Sequence, residues 1–225
     1  MKFVIALFAI LVTGTVTAQS AVPKSNMAQV RFTVGDAQLE PVQYSLEILQ
    51  DGSGSYTASY TATKASSAAL PAKQVIHIHD PLLSQVFLMA RKYHFFAIQC
   101  QQKHSHVAFT GNKTLAYTGP DGSGSCTFNY SHDQSINQIA TELIAVAYTL
   151  EIGTRLAQEH RYDRLSLDAE LAALQEATQE QRAIELGNIA PELNAIANDD
   201  AVMNRARERA RALLLEPASL QRSSN

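Results

Sequence analysis

The chain has 225 residues, of which 46% are hydrophobic and 17% charged, and a formal net charge of −3. That apolar fraction excludes a disordered or collagen-like chain, and the near-neutral balance lacks the basic surplus of an electrostatic nucleic-acid binder. Two cysteines are too few for a disulfide-stapled mini-scaffold, so a packed core has to carry the fold.

Met1 and Lys2 give a short positive start, and Phe3 to Val12 is an unbroken apolar run. Val16 and Ala18 stand at the −3 and −1 positions of a cut before Gln19. This is the anatomy of a secretory signal peptide, 1–18, which implies a secreted or periplasmic mature chain. A membrane anchor needs roughly 18 or more apolar residues, and no later stretch reaches that length. With no Cys at the cut, a lipoprotein is disfavoured.

Composition changes near residue 130. Residues 19–130 carry eight Lys/Arg and six Asp/Glu, net +2, whereas 131–225 carry nine and fifteen, net −6. The first part reads as strands. Val30, Phe32 and Val34 alternate with polar partners, then Val42, Tyr44, Leu46 and Ile48, then Tyr56, Ala58 and Tyr60. Later come Val107 and Phe109, Leu115 and Tyr117, then Cys126, Phe128 and Tyr130. Period-two alternation of β-branched and aromatic residues marks half-buried strands.

DGSG occurs at 51–54 and again at 121–124, each time between two such runs, where glycine supplies the positive φ of a hairpin turn. The match extends to DGSGSYTASY against DGSGSCTFNY, and VRFT (30–33) pairs with VAFT (107–110). His79-Asp80 and His132-Asp133 then precede helical patterns, with Asp as N-cap and Pro81 at the first helical position. Two βββα units, 28–95 and 104–160, account for these matches. The alternative is a common hairpin turn used twice, with the remaining matches coincidental.

The second part reads as helices. Ile136, Ile139, Ala140, Leu143, Ala147 and Leu150 share one face of a helix running to about Glu159. A second begins near Ser166 with Leu167, Leu171 and Leu174 inward, and a third carries Ile189, Leu193 and Ile196 with a break near Pro191. Asn198 or Asp199 caps a fourth, with Val202, Met203, Ala206, Ala210, Leu213 and Leu214 inward, and Pro217 ends it. The expectation is an α+β fold. A mostly antiparallel sheet of six or seven strands packs on helices within 19–160, a helical subdomain covers 161–215, and 216–225 is a disordered tail.

Among residues with chemistry to offer, Cys100 and Cys126 are two thiols in a chain read as exported, which predicts a disulfide. Neither belongs to a redox CxxC pair. His77 and His79 form one HxH pair, and His104 and His106 another; on a strand, i and i+2 point the same way, so each pair could pinch a zinc or copper ion. The opposing reading is a solvated strand face, because Ile76 and Ile78 mark the core side. No GxSxG elbow, HExxH, Walker loop, Rossmann fingerprint or EF-hand is present. RARERARA (205–212) reads as a solvated helix face with Glu208 pairing Arg205 or Arg211 rather than as an anion-binding helix, and more weakly the Arg-bearing helical half reads as an oligomerisation or docking element. Asn112 and Asn129 head glycosylation sequons.

The stretches VAFTGNKTLAYTGPDGSGSCTFNYS (107–131), LIAVAYTLEIGTRL (143–156) and RYDRLSLDAEL (161–171) resemble a family of uncharacterised secreted proteins from Acidobacteria. The resemblance covers about half the mature chain, carries no catalytic motif, and implies bacterial export with no assigned activity; the sequons would then be accidental. The functional expectation is a non-catalytic exported module that binds an unknown envelope or extracellular protein or supports envelope structure. No nucleic acid is expected as partner. The alternative is a metal-binding secreted protein using both HxH pairs.

Overall fold

The computed structural model describes residues 27–38, 40–61, 73–102 and 108–220, with side chains through 215. Residues 1–18, expected to be a signal peptide, His104, His106 and the last five residues lie outside the described residues. Six strands form one antiparallel sheet: β1 (Gln29–Gly35), β2 (Gln43–Leu49), β3 (Ser53–Ser59), β4 (Gln74–His77), β5 (Asn112–Gly119) and β6 (Gly122–Phe128). Their order is β4-β3-β2-β1-β5-β6, so β2 and β1 hold the middle and β4 and β6 the edges. The expected α+β class and antiparallel sheet are thus present, with six of the six or seven strands expected.

Strand alternation sends one residue set inward. Val30, Phe32 and Val34 of β1 are buried with Leu46 and Ile48 of β2, Tyr56 of β3, Ile76 of β4, Leu115 and Tyr117 of β5, and Cys126 and Phe128 of β6. Each buried Leu, Ile or Phe contributes about 1.5–3 kcal/mol relative to exposure. This face is covered by α1 (Leu82–Lys92) and α2 (Gln134–Tyr162). The apolar cluster continues without a gap into α3 (Leu167–Gln179), α4 (Ala190–Ala197) and α5 (Asn204–Leu220).

The two DGSG segments occupy matching places in hairpins β2–β3 and β5–β6; in both a Cβ would clash, at Gly52 with the Ile78 carbonyl and at Gly54 with the Glu47 carbonyl, but the backbones and the neighbours differ. Gly52 has φ +85°, as the turn expectation requires. Gly122 has no such backbone; a Cβ there would enter the Phe95 ring, and one at Gly124 would meet the Phe95 carbonyl and Ala97. The second pair of glycines therefore makes room for the chain that crosses β6. That crossing is a turn in which His94, Phe95 and Phe96 have φ of 51°, 59° and 64°. The left-handed conformation costs non-glycine residues about 1–2 kcal/mol each. It is offset by what it places: Phe96 is fully buried and Phe95 stacks on Tyr117 with centroids 5.0 Å apart.

The expected βββα repeat is not reproduced. Four strands precede α1, whereas among the described residues β5 and β6 alone precede α2. Residues 108–110 are not strand, because the Asn129 side chain takes their backbone groups: its Oδ1 accepts from Thr110 N (2.8 Å) and its Nδ2 donates to Ala108 O (3.1 Å).

Capping follows local chemistry. Asp133 Oδ1 accepts from Ser135 N (2.8 Å) and starts α2, as expected. Asp80 Oδ1 accepts from Ser84 N (3.1 Å), with Pro81 at the N-cap of α1 rather than inside it. Ser166 precedes α3 but turns its hydroxyl back to Asp163 O (2.8 Å). Asp199 does not cap α5. It accepts from Ala201 N (2.9 Å) in a separate turn, and α5 begins at Asn204 and continues past Pro217. Met203 accordingly stays outside the inward set, at 42% exposure.

Candidate functional site

Cys100 and Cys126 form a disulfide with Cα atoms 5.7 Å apart. It ties the segment after the left-handed turn to edge strand β6, beside an open groove of about 420 Å³ lined by Ala97–Gln101 and Ser125–Thr127. No thiol is free. The pair is structural.

His77 and His79 are exposed, opposite the buried Ile76 and Ile78, as strand alternation implies. Their rings meet edge to face at 4.6 Å. His79 Nδ1 lies 2.8 Å from Glu185 Oε2, and the same carboxylate accepts from His79 N at 3.0 Å. Asn188 accepts from His77 N (2.7 Å) and donates to His77 O (2.9 Å), so its side-chain amide imitates a neighbouring strand at the edge of β4. Among the described residues no three metal-ligating side chains converge. His104 and His106 lie outside those residues.

The polar cluster of greatest depth joins sheet to helix. Glu151 of α2 accepts from Tyr56 Oη (2.5 Å) and from Tyr60 Oη at both oxygens (2.9 Å each). Burial, then the Glu151 charge, pushes the Tyr44, Tyr56 and Tyr60 hydroxyls above the usual phenol range. Held as neutral donors to Glu151, the Tyr56 and Tyr60 phenols are neither bases nor nucleophiles at neutral pH; they fasten β3 and its extension to α2. Lys113 is also buried, and burial lowers its pKa; its Nζ donates to Thr110 Oγ1 (2.9 Å) and Asn129 O (3.0 Å). Here too the polar group is occupied by structure.

The arginines of α5 are occupied as well, contrary to a purely solvated face. Arg205 and Arg209 both reach Asp168 of α3, Arg209 at 3.0 Å. Arg207 pairs with Asp200, and Arg211 donates to Ala197 O (2.7 Å). Glu208 accepts from Asn204 (2.7 Å) instead of pairing with Arg205 or Arg211. The basic residues dock α5 onto α3 and α4 of the same chain. The sequons differ too: Asn112 is exposed, whereas the Asn129 amide is engaged at both ends.

What remains is the outer face of the sheet, which no described helix covers. Register aligns Thr127, Thr114, Thr33, Ser45 and Thr57 in one row across five neighbouring strands. Thr114 and Thr127 hydroxyls are 2.9 Å apart, and Thr33 donates to Ser45 at 3.3 Å. The next row is Ser125, Ala116, Arg31, Glu47, Ser55 and Val75. Arg31 Nη2 meets Glu47 Oε1 at 2.7 Å. No aromatic ring other than that of His77 and no formal charge other than this pair stands on a strand of this face. Individual strands in the sequence revealed only polar alternates; the row exists through pairing register, which alternation alone does not specify.

The arrangement defines a disulfide-bridged α+β protein with a two-sided sheet, one side packed and the other a smooth hydroxyl-rich surface. No protein-family model matches the chain, and no curated protein sequence matches it.

Proposed function

We propose that the chain is an exported, non-catalytic module that holds an envelope or extracellular protein on the bare face of its sheet. The observation that carries this reading is that face: broad, built on a rigid sheet, and lined by short polar side chains that oppose no partner's approach. Tyr56, Tyr60 and Lys113, by contrast, are locked into bonds within the fold. Export is supported by the leader-like residues 1–18, by the resemblance to secreted acidobacterial proteins, and by the disulfide, a bond favoured in oxidising compartments. Recovery of the protein from the periplasmic or culture fraction with Gln19 at its N-terminus tests export; its retention in the cytoplasmic fraction with Met1 intact overturns it. Retention of one envelope protein by the wild type and its loss with Thr33→Arg tests the face. Substrate turnover abolished by a single side-chain change overturns the non-catalytic reading.

A second reading, metal binding, is favoured by one feature. His79 is oriented through Nδ1 by a carboxylate and has a second imidazole beside it, which is how metal-ligating histidines are commonly held. Zinc or copper retained by the purified protein and lost on changing His77, His79, His104 and His106 to Ala would establish it. Metal absent from the wild type removes it.

A further inference from the structure

We propose that the partner on the bare sheet face is a second copy of this chain, packed face to face in a helix–sheet–sheet–helix dimer. This inference rests on the reading of that face as a binding surface and names what covers it. The argument comes from where the charges stand. On the strands of this face Arg31 and Glu47 are the only formal charges, and they occupy β1 and β2, the two middle strands of six. A two-fold axis lying between two such faces, along the strands and midway between β1 and β2, sets β1 over β2, β5 over β3 and β6 over β4. Arg31 then faces the partner subunit's Glu47, and the partner subunit's Arg31 faces Glu47. The face is therefore its own electrostatic complement, the condition an isologous interface requires.

The in-plane bond leaves groups to spare for this contact. Arg31 spends Nε and Nη2 on one oxygen of Glu47, whose other oxygen accepts from Ser55 Oγ (3.4 Å), and among the described residues Nη1 makes no further bond. Elsewhere on the face the side chains are mainly serine, threonine and alanine, short enough for two sheets to approach to the usual spacing of about 10 Å. Six strands at about 4.8 Å spacing make a face of roughly 600 Å² per copy, or about 1,200 Å² buried in total, the lower end of stable interfaces. The dimer is thus concentration-dependent rather than obligate.

Sedimentation velocity of the mature, disulfide-intact protein over a concentration series tests this. The wild type is expected to move from one chain mass toward two as concentration rises. Thr114→Arg, which stands a long charged side chain on the face, is expected to stay at one mass while keeping the wild-type circular dichroism and Tm. Arg31→Glu and Glu47→Arg each set like charges across the two-fold and should weaken association by roughly tenfold or more, whereas the double exchange R31E/E47R restores it. A wild type that stays monomeric throughout, or a dimer that Thr114→Arg leaves intact, overturns the inference. If the wild type is monomeric yet Thr33→Arg still loses an envelope protein, self-association fails and the binding-module reading stands; if that protein is retained as well, both fail.

Discussion

At the scale of single residues, the same four letters, DGSG, do different work in two places. Gly52 is needed for its positive φ and because a Cβ would meet the Ile78 carbonyl, whereas Gly122 is needed only for its lack of a side chain. Gly122→Ala should therefore destabilise by overpacking against Phe95, about 1–3 kcal/mol in denaturant unfolding, without disturbing the hairpin. His94 offers the converse case: it is exposed and left-handed, with φ 51°. Replacing a residue with glycine normally costs stability, but His94→Gly should raise it by about 1 kcal/mol because it removes the left-handed penalty. The turn expectation at Gly52 and the Asp133 cap were readable because both depend on neighbours in the chain. The role of Gly122 was not, since Phe95 lies 27 residues away in sequence and its approach depends on a backbone conformation that no phenylalanine advertises.

At the scale of elements, helix existence followed from apolar periodicity, while the partners of charged residues did not. RARERARA supplies its own glutamate, so local pairing is the natural expectation; tertiary packing instead presents Asp168 to two arginines at once. The hydrogen bond from Arg205 and then that from Arg209 hold the Asp168 carboxyl below its ordinary 3.8, against the opposing effect of burial. The folded chain therefore takes up this proton less readily than the unfolded chain. The stabilisation is complete above the unfolded value and disappears as pH falls through the lowered folded value. Asp199, held down by the Ala201 amide and then by His160, acts in the same sense. We expect Tm to fall below pH 4, and the fall to be shallower in Asp168→Asn, which should also start from a lower Tm at pH 7. Identical profiles for the two proteins would show that the α3–α5 bridge contributes nothing.

At the scale of the whole molecule, sheet and C-terminal helices share one core, and the disulfide closes a span of 26 residues within it. Chain-entropy arithmetic for that span gives about 3.5 kcal/mol, so Cys100→Ser with Cys126→Ser should unfold at markedly lower denaturant concentration with a native-like circular dichroism spectrum. The pairing was legible because there were only two cysteines to pair. The α+β class was legible because the sequence changes from period two to period 3.6 near residue 130. The candidate face was not, for it is assembled from a few unremarkable residues on each of six strands. Only the order β4-β3-β2-β1-β5-β6 brings Arg31 and Glu47 to the middle.

The Asn188 amide at the edge of β4 bears on whether another chain can add to that edge. An edge strand is a growing end, open to any chain that can add to it. Asn188 and Glu185 occupy three backbone groups of His77 and His79 and so act as a chain terminator supplied by the C-terminal half. Proteolytic loss of that half would remove the terminator along with part of the core. A chain cut after residue 180 should gain thioflavin-positive assemblies that the intact protein does not form. The helical region then has a protective duty toward the sheet, whatever the sheet binds.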